Sequence, residues 1–122
     1  MRHVYCKSFR DIRGDWLEEI PDHWDCKKAY QIIPGIGSGT TPLRNDARNF
    51  RNGSFNWLLS GELNDSNIYS CTNTITQYAI SNCKSLRIYP INSIAVAMYG
   101  ATIGRASVLK FPSSVNQACC VF

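Results

Sequence analysis

The chain has 122 residues, which is enough for one domain or part of one, because domains hold about 100–200 residues. Hydrophobic residues make up 44% of the chain and charged residues 18%, a globular composition that excludes a disordered tail. The net charge of +4 arises after residue 30, where seven basic side chains face three acidic ones. Such an excess suits a polyanionic partner. On charge alone, a solvated basic loop without a partner is an equally good interpretation.

Signals for membranes, secretion and metals are not found in the sequence. No apolar run approaches the roughly 18 residues that span a bilayer, and the first 15 residues lack an apolar signal core. We therefore expect a cytoplasmic protein with no membrane partner, whose six cysteines are reduced thiols rather than a disulfide framework. No cysteine pair has C-x-x-C spacing and there are two histidines, so we predict no metal site.

The first third of the chain gives weak structural signals. Residues 1–14 predict a polar lead-in, and residues 15–24 (DWLEEIPDHW) predict an irregular aromatic segment. Pro21 disfavours a helical conformation at Ile20, so a helix that begins at residue 16 should stop there. The imperfect alternation over residues 26–33 leaves strand and short helix both open.

The middle of the chain alternates between loops and short elements. Residues 34–42 (PGIGSGTTP) predict a loop by composition, and polar residues continue that loop to residue 54. Residues 54–63 carry apolar side chains at period two, which predicts a half-buried strand. Residues 74–82 fit a short helix with Thr74 or Thr76 as its N-cap.

The last third gives the strongest β signal. Residues 114–122 form a further apolar run, and the sequence stops inside the element that this run predicts. We therefore expect a domain that continues beyond residue 122, and apolar surface that is exposed where the continuation is missing. The sequence thus predicts a mixed α+β fold, with a twisted, mostly antiparallel sheet, a few short helices and long loops. The predicted strands before that last run are residues 85–89, 93–99 and 106–111.

Candidate catalytic and nucleotide-binding motifs are weak. GIGSGTT lacks the lysine of a phosphate loop, and Thr40 replaces the third glycine of a dinucleotide fingerprint. The plainer alternatives for this stretch are a connector with tight turns or a mobile loop whose donors contact phosphates or base edges. Six of nine carboxylates lie in the first 30 residues, and His23 sits beside Trp24 in the aromatic segment. We therefore predict a non-catalytic protein.

The segment YGATIGR (99–105) is the sharpest local feature. Gly100 and Gly104 bracket three residues between two β runs, and glycine allows a tight turn or a close approach to another surface. One interpretation is a plain strand connection with Arg105 exposed. The other is a ledge beside Tyr99, Thr102 and Arg105 that abuts DNA.

Several segments in order resemble one family. The chain from residue 15 to residue 122 is similar to the amino-terminal target recognition domain of the specificity subunit of type I restriction–modification enzymes. No single motif carries this resemblance, whereas the ordered set is specific. The set comprises DWLEEIPDHW (15–24), GSGTTP (37–42), NGSFNWLLSGELND (52–65), ITQYAI (75–80), AMYGATIGRASVLKF (97–111) and NQACC (116–120).

The resemblance implies a function and a set of partners. It implies that residues 1–14 lead into a partial DNA target recognition domain at residues 15–122. Such a domain reads one half of a split double-stranded target and belongs to a non-catalytic subunit. That subunit directs an adenine methyltransferase (modification) subunit and a restriction subunit. The chain itself then needs no cofactor, because S-adenosylmethionine would be bound by the modification subunit. Related single-chain restriction–methylation enzymes use similar domains, and both settings stay open.

We expect the residues that read DNA to lie in variable loops rather than in the motifs that carry the resemblance. The segments 40–55 and 69–76 are the candidates, and Asn is suited to the adenine edge. A truncated interaction module that pairs with another chain through its unfinished sheet is the alternative to DNA recognition. The predicted DNA-binding residues are Ser38, Thr40, Thr41, Arg44, Asn45, Arg48, Asn49, Arg51, Asn52, Tyr99, Thr102 and Arg105.

Overall fold

The computed structural model describes residues 8–12 and 18–122. The chain divides into two compact units, Met1–Ile32 and Ile33–Phe122. The predicted boundary between lead-in and recognition domain, at residues 14 and 15, lies outside the described residues, as do Trp16 and Leu17 of the aromatic segment. No helix in the described part is long and apolar enough to cross a membrane.

The smaller unit contains a two-stranded sheet and a short helix. β1 (Phe9–Asp11) pairs antiparallel with β2 (Glu19–Pro21), and Arg10 lies opposite Ile20. Ile20 is buried and extended, in agreement with the expectation that Pro21 prevents a helix there. The helix α1 (Ala29–Ile32) is one of the two alternatives that the sequence left open.

The larger unit consists of short strands and three short helices. The helices are two 3-10 turns, Ala47–Asn49 and Ser60–Glu62, and one α-helix, α2 (Gln77–Asn82). This composition confirms the predicted α+β class. In chain order the strands are β3 (Gly37–Ser38), β4 (Phe55–Leu58), β5 (Asn67–Ile68), β6 (Thr74–Ile75), β7 (Ile94–Ala97), β8 (Ala106–Leu109), β9 (Ser114–Val115) and β10 (Cys119–Val121).

These strands form two sheets. The main sheet has the order β3-β10-β7-β8-β5, and all its neighbouring pairs are antiparallel except β8 and β5. The second sheet has the order β6-β4-β9, in which β9 runs parallel to β4. The last strand of the chain, β10, therefore has a partner on both sides and lies inside the main sheet.

Strand β4 separates two apolar clusters. Trp57 packs with Ile75 and with Ala79 of α2, whereas Leu58 belongs to the main core with Leu109. Trp57 and Leu58 are neighbours in sequence and belong to different clusters, and both are buried, with exposed fractions of 4% and 0%. The prediction for residues 54–63 is thus corrected in two ways: the strand is shorter than predicted, and both of its faces are covered.

The two faces of the main sheet differ sharply. Ala95, Ala97 and Leu109 point into the core and are fully or almost fully buried. On the opposite face Ile94 is 44% exposed and Met98 is 40% exposed. The outer face of the main sheet is therefore apolar and partly exposed. Its partly exposed members are Val96, Ala106, Val108, Cys120 and Phe122.

Two further predictions are wrong. The predicted loop 34–42 contains β3, which pairs with β10, and a side chain at Gly39 would overlap the Val115 carbonyl group. The close approach of the two backbones depends on that glycine. Residues 85–89, all of them described, form no strand, because only Tyr89 has a β partner, in one bridge to Ser113, while the Leu86 amide donates to the Cys83 carbonyl in a turn.

Local turn and cap chemistry agrees with the predictions. The Thr76 hydroxyl accepts a hydrogen bond from the Ala79 amide at 3.2 Å, so Thr76 is the N-cap of α2. Strands β7 and β8 are joined at the predicted glycine turn. Gly100 and Gly104 have φ angles of 86° and 82°, which few side-chain-bearing residues adopt.

Candidate nucleic-acid interface

Residues 43–52, which we call the arginine loop, are fastened to the start of α2. The Thr76 hydroxyl donates to the Arg48 carbonyl at 2.6 Å, and the Thr76 amide donates to the Asn49 carbonyl at 2.9 Å. Within the loop, the Asn49 side-chain amide donates to the Leu43 carbonyl at 3.0 Å. These bonds fix the backbone of the loop, so its exposed side chains project from a defined support.

Arg48 is partly neutralised inside this loop. Its guanidinium group donates to the Asp46 carboxylate at 2.8 and 2.9 Å and lies 4.6 Å from the centre of the Tyr78 ring. The hydrogen bond from Arg48 lowers the pKa of Asp46, and the same bond raises the pKa of Arg48. Arg48 is thus a fixed cation whose charge is largely compensated by its neighbour.

Arg44 and Arg51 are the uncompensated cations of the loop. Both are exposed, and neither forms an ion pair with a carboxylate in the described part of the chain. Arg44 lines a polar depression whose other walls come from the arginine loop, from β4 and from the segment that leads into β6. Those walls are Phe50, Trp57, Thr72, Asn73 and Thr74.

The two segments that the sequence predicts as base readers are therefore neighbours. The depression joins Arg44 of the first segment to residues 72–74 of the second. The Trp57 amide donates to the Asn73 carbonyl at 3.0 Å, which fixes the second segment against β4. A cation, an amide and two hydroxyl groups thus share one solvent-open depression.

Other predicted residues meet at one end of the main sheet. The turn that precedes β10, at Gln117 and Ala118, contacts both Thr41 and the end of β7. The Thr41 hydroxyl donates to the Gln117 side-chain oxygen, and the Met98 amide donates to the Ala118 carbonyl at 2.8 Å.

Residues 98–105, which we call the hairpin tip, close β7 and β8 at this same end. Tyr99 and Arg105 are exposed, and Thr102 is partly exposed. The Thr102 carbonyl accepts from the Arg105 amide at 3.0 Å, which folds the tip back on itself. The tip and Thr41 therefore project from one end of the sheet.

The remaining predicted residues serve other purposes or stand apart. Asn49 is only 6% exposed, and its amide is used inside the loop. Thr40 is partly exposed, and its carbonyl accepts from the Trp57 indole at 3.2 Å. Ser38 is exposed on β3, Asn45 is exposed on the loop, and Asn52 is exposed in a left-handed turn with φ of 56°.

Gln117 and Tyr78 are neighbours of the site that the sequence reasoning did not select. Gln117 belongs to NQACC, a stretch that sequence similarity assigns to the scaffold, yet its side chain is exposed and bonded to Thr41. Tyr78 lies on α2 two residues after the N-cap and stacks under Arg48. No spacing in the sequence connects either residue with its partner.

Burial affects two thiols of the larger unit, those of Cys71 and Cys119. Burial raises the pKa of Cys119 to about 11 and also raises the pKa of Cys71. Cys119 and its neighbour Cys120 carry free thiols and do not bridge. A buried thiol with a raised pKa is a poor nucleophile at neutral pH.

No protein-family model matches the chain. The described residues also contain no group of three or more His, Cys, Asp or Glu side chains arranged to hold a metal ion. The case for a function consequently depends on the geometry of the arginine loop, the depression and the sheet end.

Proposed function

We propose that this chain recognises a specific sequence in double-stranded DNA, as part of a type I restriction–modification specificity subunit. The observation that carries the proposal is the meeting of the arginine loop with residues 72–74 around one open depression. In this proposal the chain is not catalytic. It directs an adenine methyltransferase subunit, which binds S-adenosylmethionine, and a restriction subunit to a split target. A related single-chain restriction–methylation enzyme is the other setting that the sequence supports.

The charges of the loop support a phosphate contact. Arg44 and Arg51 are exposed without an ion-pair partner among the described residues, and phosphate contacts make up at least half of protein–DNA hydrogen bonds. Arg48 contributes less net attraction, because Asp46 compensates it at 2.8 Å. We assign Arg44 and Arg51 to the phosphates.

The polar side chains around these cations supply the candidates for base recognition. Asn73 and Asn45 carry amide groups, and an amide pairs bidentately with the N6 and N7 edge of adenine. Asn49 is assigned instead to holding the loop, because its amide already donates to Leu43.

Pairing with another protein chain through a sheet edge has less support. The edge strands of the main sheet, β3 and β5, each have two residues, and the last strand β10 is paired on both sides. An edge of two residues offers few unpaired backbone groups to a partner strand. DNA recognition is therefore the better supported function.

The test is selection of bound duplexes from a random double-stranded library, followed by affinity measurements over a range of salt concentrations. We expect an enriched sequence and a log K that falls with log salt at about −0.9 per phosphate contacted. Arg44→Ala and Arg51→Ala should each reduce that slope by about 1 and weaken selected and random DNA alike. An arginine that reads guanine would instead cost roughly 1–3 kcal/mol on the selected sequence alone.

Lys110→Ala is the matched control, because it removes one positive charge at the end of β8 that lies away from residues 98–105. There the Lys110 side chain donates to the Asn92 side-chain oxygen at 2.9 Å. It should leave the slope unchanged. No enrichment, or an Arg44→Ala, Arg51→Ala double variant with unchanged affinity and slope, contradicts the proposal. Co-purification with an adenine methyltransferase subunit tests the assembly separately.

A further inference from the structure

The hairpin tip exposes apolar side chains that no part of the fold requires. Ile103 is 67% exposed and Tyr99 is 49% exposed, although the strands behind them bury Ala97 and Leu109 almost completely. A branched aliphatic side chain at the end of a turn contributes nothing to the core. It is available for a contact with something outside the chain.

The tip is held in one shape by its own backbone. The Ile103 amide donates to the Gly100 carbonyl at 3.2 Å, and the Gly104 amide donates to the Ala97 carbonyl at 2.9 Å. Gly100 and Gly104 supply the positive φ angles that this turn requires. A side chain presented by a closed turn loses little conformational freedom on insertion, which lowers the cost of binding.

The charges around the tip favour nucleic acid as its partner. Arg105 is exposed at the base of the tip, and residues 98–105 contain no acidic side chain. The Asp65 carboxylate contacts the chain just after the tip. It accepts a hydrogen bond from the Ala106 amide at 2.9 Å and is therefore engaged with the backbone. Proteins that bind the minor groove insert apolar side chains between base pairs, and they place arginine in the narrow groove. The tip has the same combination of an exposed apolar side chain and a neighbouring arginine.

We infer that the hairpin tip is a minor-groove wedge, in which Ile103 enters a base step and Arg105 contacts the groove beside it. This inference rests on the proposed DNA-binding function. The wedge partly unstacks one step and bends the DNA. Flexible pyrimidine–purine steps are its preferred targets.

The experiment uses duplexes from the library selection, with 2-aminopurine placed at successive steps, and gel mobility of the same duplexes with the site moved along the fragment. The wild-type chain should increase 2-aminopurine fluorescence at one step and bend the DNA by roughly 20–90°. Ile103→Ser should lose both signals while DNA binding persists, and Ile103→Leu should retain them.

Ile91→Ser is the matched control, because Ile91 is also exposed but precedes β7 at the opposite end of the sheet. It should bend and unstack DNA as the wild type does. A wild-type chain that binds DNA without bending or unstacking it overturns the wedge and leaves the proposed function intact. A chain that binds no duplex overturns both. Anionic phospholipid vesicles test a membrane role for the tip. If the wild type binds them tightly, Ile103→Ser abolishes that binding and the two proteins bend DNA equally, the tip belongs to a membrane contact and the wedge is overturned.

Discussion

The arginine loop and the hairpin tip present side chains to solvent by different means. The loop is fastened from outside, by Thr76 bonds to the carbonyls of Arg48 and Asn49. The tip is closed from within, by hydrogen bonds between residues 97 and 105 and by two glycines with positive φ. The loop should therefore fail when a distant residue changes, whereas the tip should fail only when its own backbone is strained.

Gly104→Val is the strongest test of the tip. The φ angle of 82° is strained for a β-branched residue, while no atom outside the adjoining residues lies within 4 Å of a Cβ added there. The expected loss of about 1–3 kcal/mol in unfolding free energy thus comes from the backbone and not from a clash. Denaturant unfolding measures it.

Gly61→Val is the control for this prediction. Gly61 also has open space around it, but its φ angle is not positive, so the same substitution should cost much less. Equal stability changes at Gly61 and Gly104 would show that the turn does not depend on the left-handed conformation.

Thr76→Val is the corresponding test of the loop. It removes the hydroxyl that donates to Arg48 at 2.6 Å and accepts from Ala79 at 3.2 Å, while it preserves the side-chain shape. We expect a loss of about 1–2 kcal/mol in unfolding free energy and weaker DNA binding. Hydrogen exchange should rise in the arginine loop and stay unchanged in the hairpin tip. Thr74→Val, at the exposed alternative cap position on β6, should have little effect on the unfolding free energy and on hydrogen exchange in the arginine loop. Equal exchange in both regions would contradict the difference between them.

The same contrast explains which features can be read from the sequence. The tip and the cap of α2 depend on neighbours along the chain, so the turn at Gly100 and Gly104 is predicted correctly and Thr76 is one of the two predicted caps. Strand β3 depends on backbone pairing with residues more than 80 positions away, and Gly37 and Ser38 carry no apolar alternation to reveal it. Residues 85–89 carry that alternation but have no neighbouring strand to complete a ladder.

The candidate site divides in the same way. The exposure of Arg44 and Arg51 follows from their composition-defined loop, and the candidate segments 40–55 and 69–76 do meet. The burial of Asn49 does not follow, because an asparagine in a polar loop looks the same whether it faces solvent or donates to Leu43. The pairing of Gln117 with Thr41 spans 76 positions and leaves no local pattern.

Asp46→Asn gives the smallest effect on stability and the finest test of the loop. The amide oxygen retains the cap contact to the Arg48 amide, while the charge that compensates Arg48 is lost. The pKa of Asp46 is lowered, so its contribution to stability is present above the pKa of an unfolded aspartate and disappears as the pH falls through the lower, folded value. The stabilities of the wild type and the variant should therefore differ slightly at neutral pH and converge in acid.

At neutral pH the released Arg48 should become available to a phosphate, so the salt slope of DNA binding should steepen by about 1. An unchanged slope, with Arg44→Ala still reducing it, would exclude Arg48 from the DNA contact and assign it to its stacking position on Tyr78.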